Sequence, residues 1–394
     1  MKNKKGFLQG LLLGAFVMVL VAGFVSCGLV RETGTNTENA SVTDRTDEKI
    51  EKLRELIDET YLGDVDEEHL EEGIYKGFVD GLNDPYSVYY DKEEAKELLE
   101  SVEGEFEGIG ASLIQNSDTG IITLLHIYQD SPAMRAGLQD DDILYQVNGE
   151  EVTGEDLSEV VSHIRGEKGT TVDLTVLRGE EQEEITVTAT RDTIQVQTVD
   201  YRMMEDGVGY LAVTEFDSVT YEQYEQALKD LENQGMTGLV VDLRNNPGGS
   251  LDIVCEMLDL MLPEGVVVYM EDKEGQRQEL FSDEEHQFDL PLAVLVNGYS
   301  ASASEIYAGA IQDYGIGKIV GTQTYGKGVV QKIFNLDDGS CVKLTIAEYF
   351  TPEGRTINGK GITPDVEVAY EADENNEEAD NQLDKAIEII KSEQ

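Results

Sequence analysis

The strongest constraint on the fold is a five-residue apolar run, Leu292-Ala293-Val294-Leu295-Val296, that breaks at Asn297-Gly298 and passes into small residues, Ser300-Ala301-Ser302-Ala303-Ser304. An uninterrupted apolar run of this length predicts a buried strand. The Asn-Gly pair ends it, and Glu305-Ile306-Tyr307-Ala308-Gly309-Ala310 reads as a helix. A strand, a sharp turn and a helix present a hydroxyl at a helix N-terminus, where free backbone N–H groups favour a developing negative charge. The device recurs downstream. Residues 318–321 read as a short strand, and Gly326-Lys327-Gly328 holds one lysine between two glycines. A lysine pressed into a dry site loses affinity for its proton, because burial disfavours the charged form. Such a lysine can take a proton from a serine, which would give a Ser–Lys nucleophile pair.

A second buried-type strand, Gly238-Leu239-Val240-Val241-Asp242-Leu243, ends in Arg244-Asn245-Asn246-Pro247-Gly248-Gly249-Ser250 ahead of a helix over 251–262. Strands alternating with helices predict an α/β core. The Gly-Gly turn lacks the Gly-Lys-Ser/Thr of a phosphate-binding loop.

With 394 residues the chain has room for two or three domains. Its net charge of −52, from 81 acids against 29 bases, excludes nucleic acid as a partner, since phosphate contacts need a basic surface. Three cysteines, Cys27, Cys255 and Cys341, do not make a disulfide framework. Four scattered histidines show no ligand spacing, so no metal is expected, and a Ser–Lys pair needs no cofactor. None of those histidines lies near 292–331, which disfavours a histidine-based hydrolase.

Lys2, Lys4 and Lys5 precede an apolar run over 7–25 whose strongly polar member is Gln9. A helix of that length covers a bilayer's hydrocarbon core, and the basic flank predicts that the rest of the chain lies outside the cytoplasm. The segment 1–30 is thus expected to be a membrane anchor or signal segment. Either the helix stays uncleaved, or the Phe24-Val25-Ser26-Cys27 box is cut and Cys27 is lipid-modified. Residues 31–46 read as a polar linker, 47–103 as a helical segment, 104–192 and 193–369 as two further domains, and 370–394 as an acidic linker with a last amphipathic helix. The turn-rich stretch Gly81-Leu82-Asn83-Asp84-Pro85-Tyr86-Ser87 reads as part of a packing or dimerising arm. The last helix, carrying Leu383, Ile387 and Ile390, is expected to dock on the N-terminal helices or on another subunit of a homodimer.

Residues 131–150, Ser-Pro-Ala-Met-Arg-Ala-Gly-Leu-Gln-Asp-Asp-Asp-Ile-Leu-Tyr-Gln-Val-Asn-Gly-Glu, resemble a PDZ domain of the bacterial type. A PDZ domain binds a peptide C-terminus by adding it as a strand. The resemblance implies that the backbone of Gly108, Ile109 and Gly110 receives the terminal carboxylate, as a nest of N–H groups does. Leu157, Val161 and Ile164 would line the side-chain pocket. Arg165 reads either as a surface charge or as a link to the third domain.

The string Ser300-Ala301-Ser302-Ala303-Ser304-Glu305, followed by Thr324-Tyr325-Gly326-Lys327-Gly328-Val329-Val330-Gln331, resembles the C-terminal processing peptidases, also called tail-specific proteases. The resemblance extends over roughly residues 47–392. It implies that Ser302 is the nucleophile, Lys327 its general base and Gln331 the residue that positions the lysine. It also implies that backbone N–H groups of Gly248 or Gly249, with that of Ala303, form an oxyanion hole. Ser300 and Ser304 read as turn and cap residues. The expected whole is a multidomain α/β protein: anchor, helical segment, PDZ domain and Ser–Lys protease core. Its expected function is a serine endopeptidase acting on proteins with free C-termini. The alternative is a membrane-tethered PDZ scaffold without proteolytic activity.

Overall fold

The computed structural model describes residues 42–394 apart from 180, 205, 284–285, 373–375 and 377–378. The expected anchor over 7–25 and the Cys27 box lie outside the described residues. Among the described residues no helix is long and apolar enough to cross a membrane. The chain divides into two compact units, at Glu67 and Glu68. To the first belongs α1 (Val42–Thr60), which starts inside the stretch expected to be linker. The boundary falls at the start of α2 (Glu67–Asp80), and α3 (Lys92–Glu103) follows in the second unit. An Asp91–Glu94 capping box starts α3, and Gly104 in the left-handed region ends it.

The domain expected to be a PDZ domain is a five-strand antiparallel path, Ala111–Gln115, Ile122–Ile127, Ile143–Val147, Thr171–Arg178 and Glu183–Thr190, with a short strand on its side. It carries α4 (Pro132–Ala136), capped by Ser131 with Pro132 at the first turn, and α5 (Leu157–Ile164), capped by Asp156. Alternate residues of the strands meet Val160 and Ile164 of α5 in a separate apolar core. The strands Glu105–Gly108 and Asp192–Gln195 pair antiparallel, so the domain's two chain ends leave side by side.

The third domain is a six-stranded sheet in the order Val199–Met203, Val208–Val213, Gly238–Asp242, Leu292–Val296, Lys318–Gly321, Val366–Glu367. Its first pair is antiparallel and the rest are parallel. Every residue of Gly238–Asp242 and Leu292–Val296 is buried, because helices cover both faces of the sheet. On one face lie α6 (Thr220–Asn233), α7 (Leu251–Asp259) and α8 (Ala303–Tyr314), packed around Leu231, Met257 and Tyr307. The other face takes α9 (Asn381–Glu393) through Leu383, Ala386 and Ile390. The apolar stripe of α9, expected to seek the N-terminal helices or a second subunit, is therefore covered by the chain's own sheet. Arg244 pins the start of that helix through Asp380, 2.7 Å away, while also pairing with Asp242. A second, antiparallel sheet joins Val88–Tyr90, Cys341–Phe350, Gly265–Asp272 and Arg277–Ser282, with Val329–Asn335 added beside Cys341–Phe350.

Candidate active site

Three neighbouring parallel strands, Gly238–Asp242, Leu292–Val296 and Lys318–Gly321, release their loops at the same edge. Ligands of open α/β sheets bind outside the carboxyl ends of strands, and these three loops carry Gly248–Gly249, Ser302 and Lys327. Side chains fasten the loops together. The Ser300 hydroxyl donates to the Leu243 carbonyl at 2.7 Å and accepts from the Asn297 N–H. Ser304 donates to the Asn246 carbonyl at 3.0 Å. The outer serines of the triplet thus hold the turn to its neighbour.

Ser302 stands at the N-terminus of α8 with φ 56° and ψ −116°. A non-glycine residue in this region is strained and is kept there by its surroundings. The holder is Glu305, a fully buried carboxylate one turn on. One oxygen accepts the backbone N–H of Ser302 and that of Lys327, each at 2.9 Å. The other accepts the Thr324 hydroxyl at 2.6 Å and the Gly326 N–H at 2.7 Å. A single carboxylate thereby fixes the serine turn and the lysine loop to one another. Gly248 approaches from the third loop: a Cβ on it would sit 2.7 Å from the Ser302 Cβ.

Lys327 is half-buried, and its ammonium makes no hydrogen bond or ion pair among the described residues. Burial lowers its proton affinity below that of an ordinary lysine, and the nearby Lys343 charge lowers it further. Glu305 and Asp84 oppose that shift. Its Nζ lies 4.9 Å from the centroid of the Tyr86 ring. The stretch read as a packing arm therefore reaches this site, with Asp84 and Tyr86 around the lysine. Tyr349, 2% exposed, donates its hydroxyl to the Lys327 carbonyl. Sequence reasoning assigned no role to Glu305, Tyr86 or Tyr349. The sequence signal for Glu305 was its place three residues after Ser302, the capping-box spacing.

Gln331, expected to position the lysine, points its amide at the Val329 carbonyl and the Thr345 hydroxyl, both at 3.3 Å, and makes no hydrogen bond to the Lys327 ammonium among the described residues. Of the expected oxyanion donors, the Gly248 N–H donates to Asn246 Oδ1 at 2.8 Å. The N–H groups of Gly249 and Ala303 have no partner among the described residues. In the PDZ domain a cavity of about 220 Å³ is lined by Gly108, Ile109, Gly110, Val161, Ile164 and Arg165 among others. The Ile109 and Gly110 N–H groups beside it have no partner among the described residues. Leu157 is not part of that lining and packs on the PDZ core instead. Asp259, Asp283 and His286 bring three ligand atoms within 4.8 Å of one another at the surface, a proximity that sequence spacing did not reveal.

A serine at a strained strand-to-helix turn, with a lysine of lowered proton affinity on the neighbouring loop, is an arrangement that suits serine-type hydrolysis on an α/β sheet. Residues 207–368 match the model of peptidase family S41, residues 126–178 that of the PDZ domain, and residues 16–94 that of the activating protease CtpB N-terminal domain. The chain is 38% identical over 332 residues to the carboxy-terminal processing protease CtpB of Bacillus subtilis, covering 83% of this chain and 69% of that one. It is 36% identical over 359 residues to CtpA of the same organism, covering 90% and 76%. In fold it resembles an S41 protease from Bacteroides fragilis, with a TM-score of 0.52 at 19% identity over 81% of this chain and 90% of that one. The chain belongs to peptidase family S41, as a serine-type protease of the carboxy-terminal processing kind with a PDZ domain.

Proposed function

We propose that the protein is an endopeptidase with a Ser302–Lys327 dyad that takes substrates by their C-terminal tails. The Ser302 hydroxyl attacks the scissile carbonyl while Lys327, neutral beforehand, accepts its proton. The same ammonium then protonates the leaving amine. Water hydrolyses the acyl-serine ester with Lys327 again as base. The free N–H groups of Gly249 and Ala303 hold the oxyanion, each worth about 3–4 kcal/mol of barrier. Gln331 is the member of the set that would hold the lysine amine, although here its amide is turned to Val329 and Thr345. The reading is carried by one observation: the Glu305 oxygen shared by the backbones of Ser302 and Lys327, next to an ammonium whose proton affinity is lowered.

Tail recognition is supported by the two unpartnered N–H groups at Ile109 and Gly110 beside an apolar pocket. A substrate carboxylate would dock there and its last side chain would enter the pocket, raising the local concentration of upstream bonds at Ser302. The basic and apolar stretch over 2–25 supports a membrane tether with the catalytic part outside the cytoplasm, by an uncleaved helix or a lipid on Cys27. Exposed Phe78 and Leu82 of the helical segment support a homodimer. The intact serine, lysine and glutamine set disfavours the inactive scaffold. The test is cleavage of an unfolded protein with an apolar C-terminus, compared with its C-terminally amidated form. Full cleavage of both by the Ser302→Ala variant would reject the nucleophile, and equal rates for the two forms would reject tail recognition.

A further inference from the structure

A cavity of about 740 Å³ opens between α3, the PDZ helix α5 and the protease core, and none of its lining residues belongs to the Ser302–Lys327 site. Its charge is one-sided. Helix α3 contributes Glu93, Glu97 and Glu100, and the PDZ domain contributes Glu107 and Glu167. From the core come Glu215 and Asp217, which flank Phe216 in the loop before α6. The two cations in the wall, Lys96 and Arg165, both pair with Glu100, at 3.7 and 2.9 Å. The other carboxylates are left without a cation from this wall.

Asp217 separates this cavity from an ordinary acidic surface. It is 5% exposed, and its carboxyl has no hydrogen-bond or ion-pair partner among the described residues. Its side chain lies against Gly104, where a Cβ would come 2.8 Å from the Asp217 Cβ, so the end of α3 holds it in place. Burial, with the Glu215 charge beside it, pushes this carboxyl up to about 7. An unpaired buried carboxyl of this kind is stabilised by whatever cation reaches it. The walls above it are apolar at Phe106, Val161 and Val196. Apolar walls over a deep carboxylate suit a long methylene stem with a charged head better than a bare ion. Phe106, Val161 and Arg165 also line the PDZ pocket, so the two cavities share a wall.

We propose that this cavity binds a lysine or arginine side chain of the substrate polypeptide, upstream of the C-terminal residue held in the PDZ pocket, with Asp217 as its floor. The substrate class is then an apolar-ended tail carrying a basic residue. This rests on the reading that the PDZ pocket takes a substrate C-terminus. Phe216 ties the site to catalysis: its N–H donates to the Gly248 carbonyl, and its carbonyl accepts from Ser250, on either side of Gly249.

The test uses the full chain and fluorogenic peptides with one apolar C-terminus, in which a lysine is walked through the upstream positions against a glutamine control. At the favoured position kcat/KM for the lysine peptide should exceed that of the glutamine peptide about tenfold, which is 1.4 kcal/mol. The ratio should fall below about twofold in Asp217→Asn, and likewise in Glu97→Gln/Glu107→Gln, whose exposed sites do not threaten the fold. A ratio near one at every position, with free-acid peptides still preferred over amides, overturns this inference and leaves tail recognition standing. No preference for the free acid removes the reading beneath it. Tightening by calcium or magnesium alone, without lysine selectivity, makes the cavity an ion site and also overturns the inference.

Discussion

Glu305→Gln separates the two jobs that the structure gives this carboxylate. Glutamine keeps the shape but turns one acceptor oxygen into an NH2 donor. If the NH2 took the place of the oxygen facing Ser302 and Lys327, it would meet two backbone N–H groups that cannot turn away. Facing Thr324 and Gly326 it meets one N–H and one hydroxyl that can rotate. The second orientation therefore wins. It leaves the Gly326 N–H without its acceptor, at about 1–3 kcal/mol, and turns the surviving charge-assisted bonds into neutral ones of roughly half the strength. The expected loss of stability is about 3–5 kcal/mol, a large part of a typical domain's 5–15 kcal/mol. Denaturant unfolding measures it. The second job is electrostatic. The Glu305 charge raises the proton affinity of Lys327, so its removal should lower that affinity. The acid limb of the kcat/KM profile, which reports the free enzyme's base, should then move to lower pH although the rate itself falls. A limb that stays put or moves up, with stability within about 0.5 kcal/mol of wild type, would refute this account of Glu305.

Lys343→Ala removes a positive charge that depresses Lys327, so the same acid limb should move to higher pH, opposite in sign to the Glu305 variant. Gly248→Ala should lower kcat by about 100-fold or more, because its Cβ would sit 2.7 Å from the Ser302 Cβ and the glycine occupies φ +112°; single-turnover kinetics reads it. The Asp217 carboxyl rises from its ordinary value near 4 to about 7, so the native state binds more protons than the unfolded state between these values and stability should fall as pH rises across that window. The ceiling is about 4 kcal/mol at 1.36 kcal/mol per unit, and Asp217→Asn should flatten the slope in urea titrations from pH 4 to about 8.

The core strands were legible because burial on both faces writes itself as an uninterrupted apolar run, and Leu292–Val296 is such a run. The serine turn was legible for a local reason also: small residues between a strand and a helix leave little else to build. Glu305 was not, although it stands three residues from Ser302. A glutamate in the first turn of a helix ordinarily faces water, and here Thr324, Gly326 and Lys327 bury it from 19 to 22 positions downstream. Tyr86 is more remote still, since its stretch reads as turn chemistry and it meets Lys327 only through the folding together of distant parts of the chain. In α9 the periodicity gave an apolar face but not its partner, which proved to be Val240, Leu295 and their neighbours on the chain's own sheet. Leu157 fits a helical stripe as well as Val161 does, and the helix's rotation alone decides which of them meets the pocket.

The central claim is that one amine takes the proton from Ser302. Its most direct test is single-turnover cleavage of an unfolded, apolar-ended protein by Lys327→Ala, with circular dichroism and unfolding curves showing that the variant is folded. The account predicts a native-like chain whose cleavage falls to the level of Ser302→Ala. Cleavage at the wild-type rate by the folded lysine variant would contradict it.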